Sequence, residues 1–266
     1  MEYGINIDFF RSAPLTDVAK AIADAGFTCV DYRPPVMDDN WEITMKEACK
    51  IFTEYGLRVH QTHVPYRRPG TNHRLYVERS LESVIYMGAK YAVVHGNEFD
   101  FDKVKYTPEA AFEFNHNYFR GDVEFAKKNG FKMAFETVFD DHPVNLRYTS
   151  RPHELFELVT SFSSTSAVCC WDFGHANISF GESTCEWILK FGSLIECTHV
   201  HDNTGSDSHQ MPFTGDINWN RTMDSFKKIG YNNVLSIEYS HGNIPADMLS
   251  DFLRLSYNSL VNLSNL

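Results

Sequence analysis

Met133-Ala134-Phe135-Glu136 and Cys169-Cys170-Trp171-Asp172 are short apolar runs that each end on a carboxylate. Four further segments repeat the pattern of a strand-like run closed by a residue able to grip a divalent ion. They are Val59-His60-Gln61-Thr62-His63, Ala92-Val93-Val94-His95, Ile195-Glu196-Cys197-Thr198-His199 and Val234-Leu235-Ser236-Ile237-Glu238. Successive runs lie roughly 30 to 40 residues apart, about the length of one βα unit. A parallel barrel brings the ends of all its strands to one face, where barrel enzymes build their sites. Six such ends therefore predict a metal-dependent enzyme on a parallel barrel.

Outward from these runs the alternation is regular. Strands are expected to begin near Tyr3, Phe27, Leu57, Tyr91, Lys132, Ala167, Ile195 and Val234. Helices are expected over about 15–25, 42–55, 72–87, 108–129, 152–161, 182–191, 219–229 and 245–261. Glycine closes several of them, at Gly26, Gly56, Gly130 and Gly230, where a left-handed cap turns the chain into the next strand. Pro14, Pro108, Pro152 and Pro245 stand near helix starts, where a missing N–H costs little. Eight βα units with short connections predict an α/β fold, a single (β/α)8 barrel spanning 1–266 as one domain. The length of 266 residues agrees with the roughly 250 typical of that barrel, although length alone also allows a doubly wound sheet or two domains. No linker or low-complexity segment marks a second domain. The longest connections are expected at 66–71 and 140–151, both following strands.

Composition narrows the function classes. Apolar residues make up 43% of the chain, enough for one sizeable core, yet no apolar run is long enough to span a membrane. The start Met1-Glu2-Tyr3-Gly4-Ile5-Asn6 has no basic region before an apolar one, so no signal peptide is expected there. The six cysteines show no CxxC spacing and read as buried thiols of a reducing compartment, giving a cytoplasmic expectation. The net charge of −11 disfavours nucleic acid and suits a small-molecule substrate, and without a long apolar run no membrane partner is expected.

Nine residues emerge as candidate donors: His63, His95, Glu136, Asp172, His175, His199, Asp207, His209 and Glu238. Asp172-Phe173-Gly174-His175 offers two donors from one turn. Asp207-Ser208-His209 can chelate, because alternate side chains of an extended segment point the same way. Each residue also has a purely structural reading: a lone histidine can hydrogen-bond in a core, Glu136 can pair with an arginine, and Asp172 can cap a turn. Burying carboxylates unpaired is costly, which is why the joint pattern outweighs those readings. Mixed imidazole and carboxylate donors suit Zn²⁺, Mn²⁺, Co²⁺ or Fe²⁺ better than Ca²⁺. His60 reads as core or as an outer neighbour of the site, and His201 and His241 carry no assigned role.

The chain resembles the xylose-isomerase-like barrel superfamily, which includes sugar (phosphate) isomerases and epimerases and the endonuclease IV group. The resemblance covers essentially the whole chain. It is carried by His63-Val64-Pro65-Tyr66, Val94-His95-Gly96, Phe135-Glu136-Thr137, Trp171-Asp172-Phe173-Gly174-His175-Ala176-Asn177, His199-Val200-His201-Asp202-Asn203, Asp207-Ser208-His209, Gly215-Asp216-Ile217-Asn218-Trp219 and Ile237-Glu238. By resemblance to the ketose 3-epimerases, one ion is held by Glu136, Asp172, His199 and Glu238. The two glutamates then also act as acid and base, and His175 touches substrate. By resemblance to the endonuclease IV group, all nine residues hold three zinc ions. Many members carry Gly-Glu-Gly after the Asp-x-His loop; here Pro212-Phe213-Thr214-Gly215 replaces that glutamate with Thr214.

The preferred expectation is a sugar or sugar-phosphate isomerase or epimerase that moves a proton through an enediolate with one divalent ion. The alternatives are a metal-dependent lyase acting on a cyclitol or keto-acid, a three-zinc phosphodiesterase, and a non-catalytic sugar-binding protein. Tyr66, Trp171 and Trp219 are expected as walls of the substrate site. Among the loop arginines Arg67, Arg68, Arg74, Arg147 and Arg151, Arg68 and Arg147 are the candidates for an anionic substrate group. Barrels of this superfamily often pair, so a homo-oligomer is expected.

Overall fold

The computed structural model describes residues 1–10, 13–67, 71–100, 103–140, 148–240 and 244–266. Eight strands alternate with helices: β1 (Glu2–Asn6), β2 (Cys29–Asp31), β3 (Arg58–His63), β4 (Tyr91–His95), β5 (Lys132–Glu136), β6 (Ala167–Asp172), β7 (Ile195–His199) and β8 (Val234–Ile237). All pairings are parallel, in the order β7-β6-β5-β4-β3-β2-β1-β8. The ring closes just past β7, where Val200 bridges Ile237 and its N–H donates to the Ser236 carbonyl at 2.7 Å. The architecture is the expected (β/α)8 barrel.

The helices are α1 (Leu15–Ala25), α2 (Trp41–Glu54), α3 (His73–Met87), α4 (Pro108–Asn129), α5 (Pro152–Ser161), α6 (Phe173–Phe180), α7 (Thr184–Phe191), α8 (Trp219–Lys228) and α9 (Leu249–Asn265). Gly26 shows why glycine ends such helices: its φ is 109°, and its N–H caps the Ala23 and Ile22 carbonyls. Thr107 caps α4 by accepting from Ala110 N, with Pro108 directly behind it. No helix among the described residues is long and apolar enough to cross a membrane.

Two expectations are corrected. Helix α6 was read only as a donor turn; Asp172 caps it at once by accepting from His175 N at 2.7 Å, so strand passes to helix with no loop between. The longest connection is not at 66–71 or 140–151 but at 200–218, between β7 and α8. That loop is ordered by Asp202, whose carboxylate accepts from Asn203 N, Phe213 N, Ile217 N and Trp219 Nε1.

Strand alternation decides what faces the barrel axis. Tyr91, Val93, Ala134, Val168, Cys170 and Cys197 form one small buried cluster inside the ring. Two residues further along the same strands come His95, Glu136, Asp172 and His199. The candidate donors are thus the top layer of the barrel interior. The residues between them, such as Val94, Phe135 and Trp171, join the larger core that packs ring against helices.

Candidate metal centre

Glu136, at the end of β5, is the hub. Its Oε2 lies 2.9 Å from His63 Nε2 and 3.0 Å from His95 Nε2; its Oε1 lies 2.7 Å from His199 Nδ1. His199 Nδ1 is also 3.5 Å from Glu238 Oε2 and 3.9 Å from Asp172 Oδ2. Asp207 Oδ1 sits 3.0 Å from His209 Nε2 and 3.4 Å from His175 Nε2. All nine sequence-derived donors come together. Among the described residues they fall into three groups whose ligand atoms lie within 4.8 Å of one another: His63, His95 and Glu136; Glu136, Asp172, His199 and Glu238; and His175, Asp207 and His209 with His201.

Whether these residues fit a cation can be tested on the second nitrogen of each ring. His63 Nδ1 faces the Val64 carbonyl at 2.8 Å, His175 Nδ1 the Thr137 carbonyl at 2.9 Å and His209 Nδ1 the Glu238 carbonyl at 2.9 Å. A carbonyl can only accept, so each Nδ1 carries its proton. In a neutral ring Nε2 would then aim a lone pair at a carboxylate oxygen. His199 has carboxylates at both nitrogens, Glu136 at one and Asp31 Oδ2 at 3.1 Å at the other. Such rings need a second proton or a cation between themselves and the carboxylate. Outer acceptors that fix the ring in this way are the usual support of metal-binding histidines. The donor set therefore fits divalent ions.

The same field shows in the proton affinities. Burial opposes charge on His175, but Asp172, Asp207 and Glu136 push it up to about 10. Burial likewise opposes charge on His209, which Asp207, Glu238 and Asp172 raise to about 9. His199 is raised well above the usual imidazole range by Glu238 and Glu136, against its burial. Glu238 falls to about 2 despite burial, held by His199 and His209. His95 is pushed down to about 4 by burial, against the pull of Glu136. Divalent ions can take the place of these extra protons.

The aromatic expectations divide. Tyr66 stands at the mouth, half-exposed, its ring centroid 4.5 Å from that of His95. Trp171 is not a wall of the site. It precedes inward-pointing Asp172, so it faces outward, fully buried against Phe180, Phe191 and Phe226. Trp219 is also buried, spending its N–H on Asp202 and packing on Phe173. Arg68, Arg147 and His241 lie outside the described residues. Arg74 is committed to a two-pronged pair with Asp122 on α4. His60 packs edge-on to Tyr91 near Arg58, in the core below the donors. Sequence reasoning missed Asp31, which ends Cys29-Val30-Asp31 just as the other donors end their strands, and His201, two residues past His199 on the same side of the chain.

Comparison with known proteins agrees with this fold. A protein of Methanocaldococcus jannaschii, MJ1311, of uncharacterized function, is 25% identical over 98% of this chain and 91% of its own. A D-tagatose 3-epimerase-like protein superposes with a TM-score of 0.73 at 22% identity, each chain covered in full. The IOLI protein, solved with a zinc atom bound, superposes with a TM-score of 0.75 at 16% identity over 100% of this chain and 98% of the other. The structural likenesses concern the fold. The model of the xylose isomerase-like TIM barrel family matches residues 19–255, and the chain belongs to that family.

Proposed function

We propose that this protein is a divalent-metal-dependent isomerase or epimerase of a sugar or sugar phosphate. The observation that carries the reading is the quartet Glu136, Asp172, His199 and Glu238, with two glutamates and one imidazole converging at the top of the barrel interior. The quartet would hold one ion, with Mn²⁺, Zn²⁺ and Co²⁺ all suited to its donors. An ion bound there supplies charge to the oxygen that turns anionic when the proton beside a ketose carbonyl is removed. Glu238, kept ionised and at 8% exposure the more accessible glutamate, takes that proton. Glu136 lies deeper, at 1%, and would return through Oε2 a proton passed to it across the 2.9 Å contact with His63 Nε2. With only the quartet filled, His175 Nε2 is the nitrogen that meets a substrate hydroxyl, and Tyr66 shields the mouth from water. The fold it shares with a D-tagatose 3-epimerase-like protein supports this reading.

A second reading is favoured by one specific feature: Glu136 gives one oxygen to His63 and His95 and the other to His199. A carboxylate placed so can bridge ions, and three donor groups can hold three. Four carboxylates against three divalent ions leave a net charge of +2, suited to a phosphodiester.

One experiment separates the two. Protein purified without chelators is analysed for metal content, then incubated with a panel of ketoses and ketose phosphates in D₂O and with a generic phosphodiester. About one ion per chain, with deuterium entering next to the carbonyl, is the expected result. Metal-replete protein that exchanges no proton from any ketose and cleaves the diester would overturn the isomerase reading in favour of the second.

A further inference from the structure

His201 stands outside the nine donors yet is fully buried between their groups. Its Nε2 lies 3.0 Å from Asp172 Oδ1 and 3.1 Å from Asp172 Oδ2, so one N–H is shared by both oxygens of a quartet member. Its ring lies flat on that of His209, with centroids 3.8 Å apart and planes 12° from parallel, and edge-on to His175 at 5.5 Å. Room for the ring exists only because residue 174 is glycine: a Cβ there would fall 1.9 Å from His201 Cε1. Asn203 Nδ2 donates to the Gly174 carbonyl at 2.8 Å and holds that turn in place.

A donor atom of His201 lies within 4.8 Å of those of His175, Asp207 and His209, which would admit it as a further ligand. The stacking argues otherwise. An imidazole binds an ion in its own plane along the nitrogen lone pair. Two rings lying face to face 3.8 Å apart cannot both hold one ion in plane. Nε2, moreover, is already directed at Asp172.

We propose that His201 is a positioning residue that ties the quartet to the His175, Asp207 and His209 trio, so that the two subsites fill in a coupled way. Through Nε2 it fixes which Asp172 lone pairs face the quartet. Through its ring it fixes the angle at which His209 presents Nε2. An ion that pulls Asp172 into place thereby sets His209 as well. The inference rests on the metal-centre part of the proposed function and is independent of the substrate.

The test uses the full chain stripped of metal and titrated with Co²⁺, following visible absorption and heat. His201→Gln keeps an N–H donor within reach of Asp172 but has no ring to stack. His201→Phe keeps the ring but has no donor. The wild type is expected to bind one Co²⁺ tightly at the quartet, the ion retained through purification, and a second more weakly at the trio only under excess Co²⁺, the first strengthening the second. His201→Phe should weaken the quartet step about 10- to 100-fold, the usual cost of losing an outer partner. His201→Gln should restore that step, weaken the trio step and abolish the coupling. Melting of the stripped variants within a few degrees of wild type would show that the fold is intact. Wild-type affinities and coupling in both variants would overturn the proposal, as would a parallel loss in both that Gln fails to rescue. Loss of a whole equivalent of Co²⁺ from both would make His201 a ligand and equally overturn it. A wild type that takes up no Co²⁺ at all would instead sink the metal-centre reading, and this inference with it.

Discussion

Asp31 Oδ2 lies 3.1 Å from His199 Nε2, on the far side of the ring from Glu136 Oε1 at 2.7 Å. The aspartate is buried, and the same Oδ2 also accepts from Gln61 Nε2 at 3.2 Å, which holds that oxygen in place. This is a carboxylate–imidazole–carboxylate line in which an ion would bind on the Glu136 side. The outer carboxylate fixes the tautomer and makes Nδ1 a stronger donor. Asp31→Asn should keep the fold and weaken binding of the quartet ion about 10- to 100-fold, measured by competition with a chromophoric chelator. Unchanged affinity would remove Asp31 from the centre.

Glu136 is the residue on which both functional readings depend, since each of its oxygens serves a different group of imidazoles. Glu136→Gln should cut turnover about 10²- to 10⁴-fold, the range lost with a general acid or base. It should also lower metal content per chain, because an amide is a poor bridging ligand. Paired rate and elemental measurements check this. A variant with full metal and full activity would refute both roles.

Much of this site was legible from strand alternation and the ends of apolar runs. The nine donors were found because each terminates a strand or lies on the segment that follows it, His175 within the first turn of α6. The same alternation, carried one residue further, excludes Trp171 from the site, since neighbours in a strand point opposite ways. It also includes His201 with His199, two positions apart. Asp31 escaped notice because β2 is only three residues long and shifts register between Val30 and Asp31. Such a strand carries little periodicity. Helix α6 was hidden for a related reason. Its eight residues begin directly at a donor, and the sequence Phe173-Gly174-His175-Ala176 has no loop before it to announce a helix start. The 200–218 connection is ordered through one buried carboxylate, Asp202, a long-range role that local sequence does not mark.

Gly174 makes a sharp stability prediction. An added methyl would fall 1.9 Å from His201 Cε1 and 2.3 Å from its Nδ1. The ring has nowhere to go, being stacked on His209 on one face and bonded to Asp172 at its edge. Overpacking of this kind costs typically about 1–3 kcal/mol. Gly174→Ala should therefore lower stability by about that much in urea melts, although alanine is the better helix former. A variant as stable as wild type would mean that the ring moves freely, and would weaken the argument for His201 as well.

Glu98 supplies the pH dependence. It follows β4 and is buried, with Oε1 3.6 Å from His73 Nε2. Its backbone is pinned from both sides, its N–H to Asn115 Oδ1 and its carbonyl to Asn115 Nδ2, each at 2.7 Å. Burial raises its carboxyl to about 7, and Arg67 only partly offsets this. In the unfolded chain the group titrates near the ordinary glutamate value. Between roughly pH 4.5 and 7 the native state therefore binds more protons than the unfolded state, and stability falls as pH rises through that window, then levels off above it. At about 1.4 kcal/mol per unit the contribution reaches about 3 kcal/mol. Glu98→Gln cannot ionise and escapes this loss. The urea stability of the stripped variant relative to wild type should rise between pH 5 and pH 8 by up to about 3 kcal/mol. A difference that stays constant across that range would show that Glu98 titrates alike in both states, and that its burial does not hold it neutral.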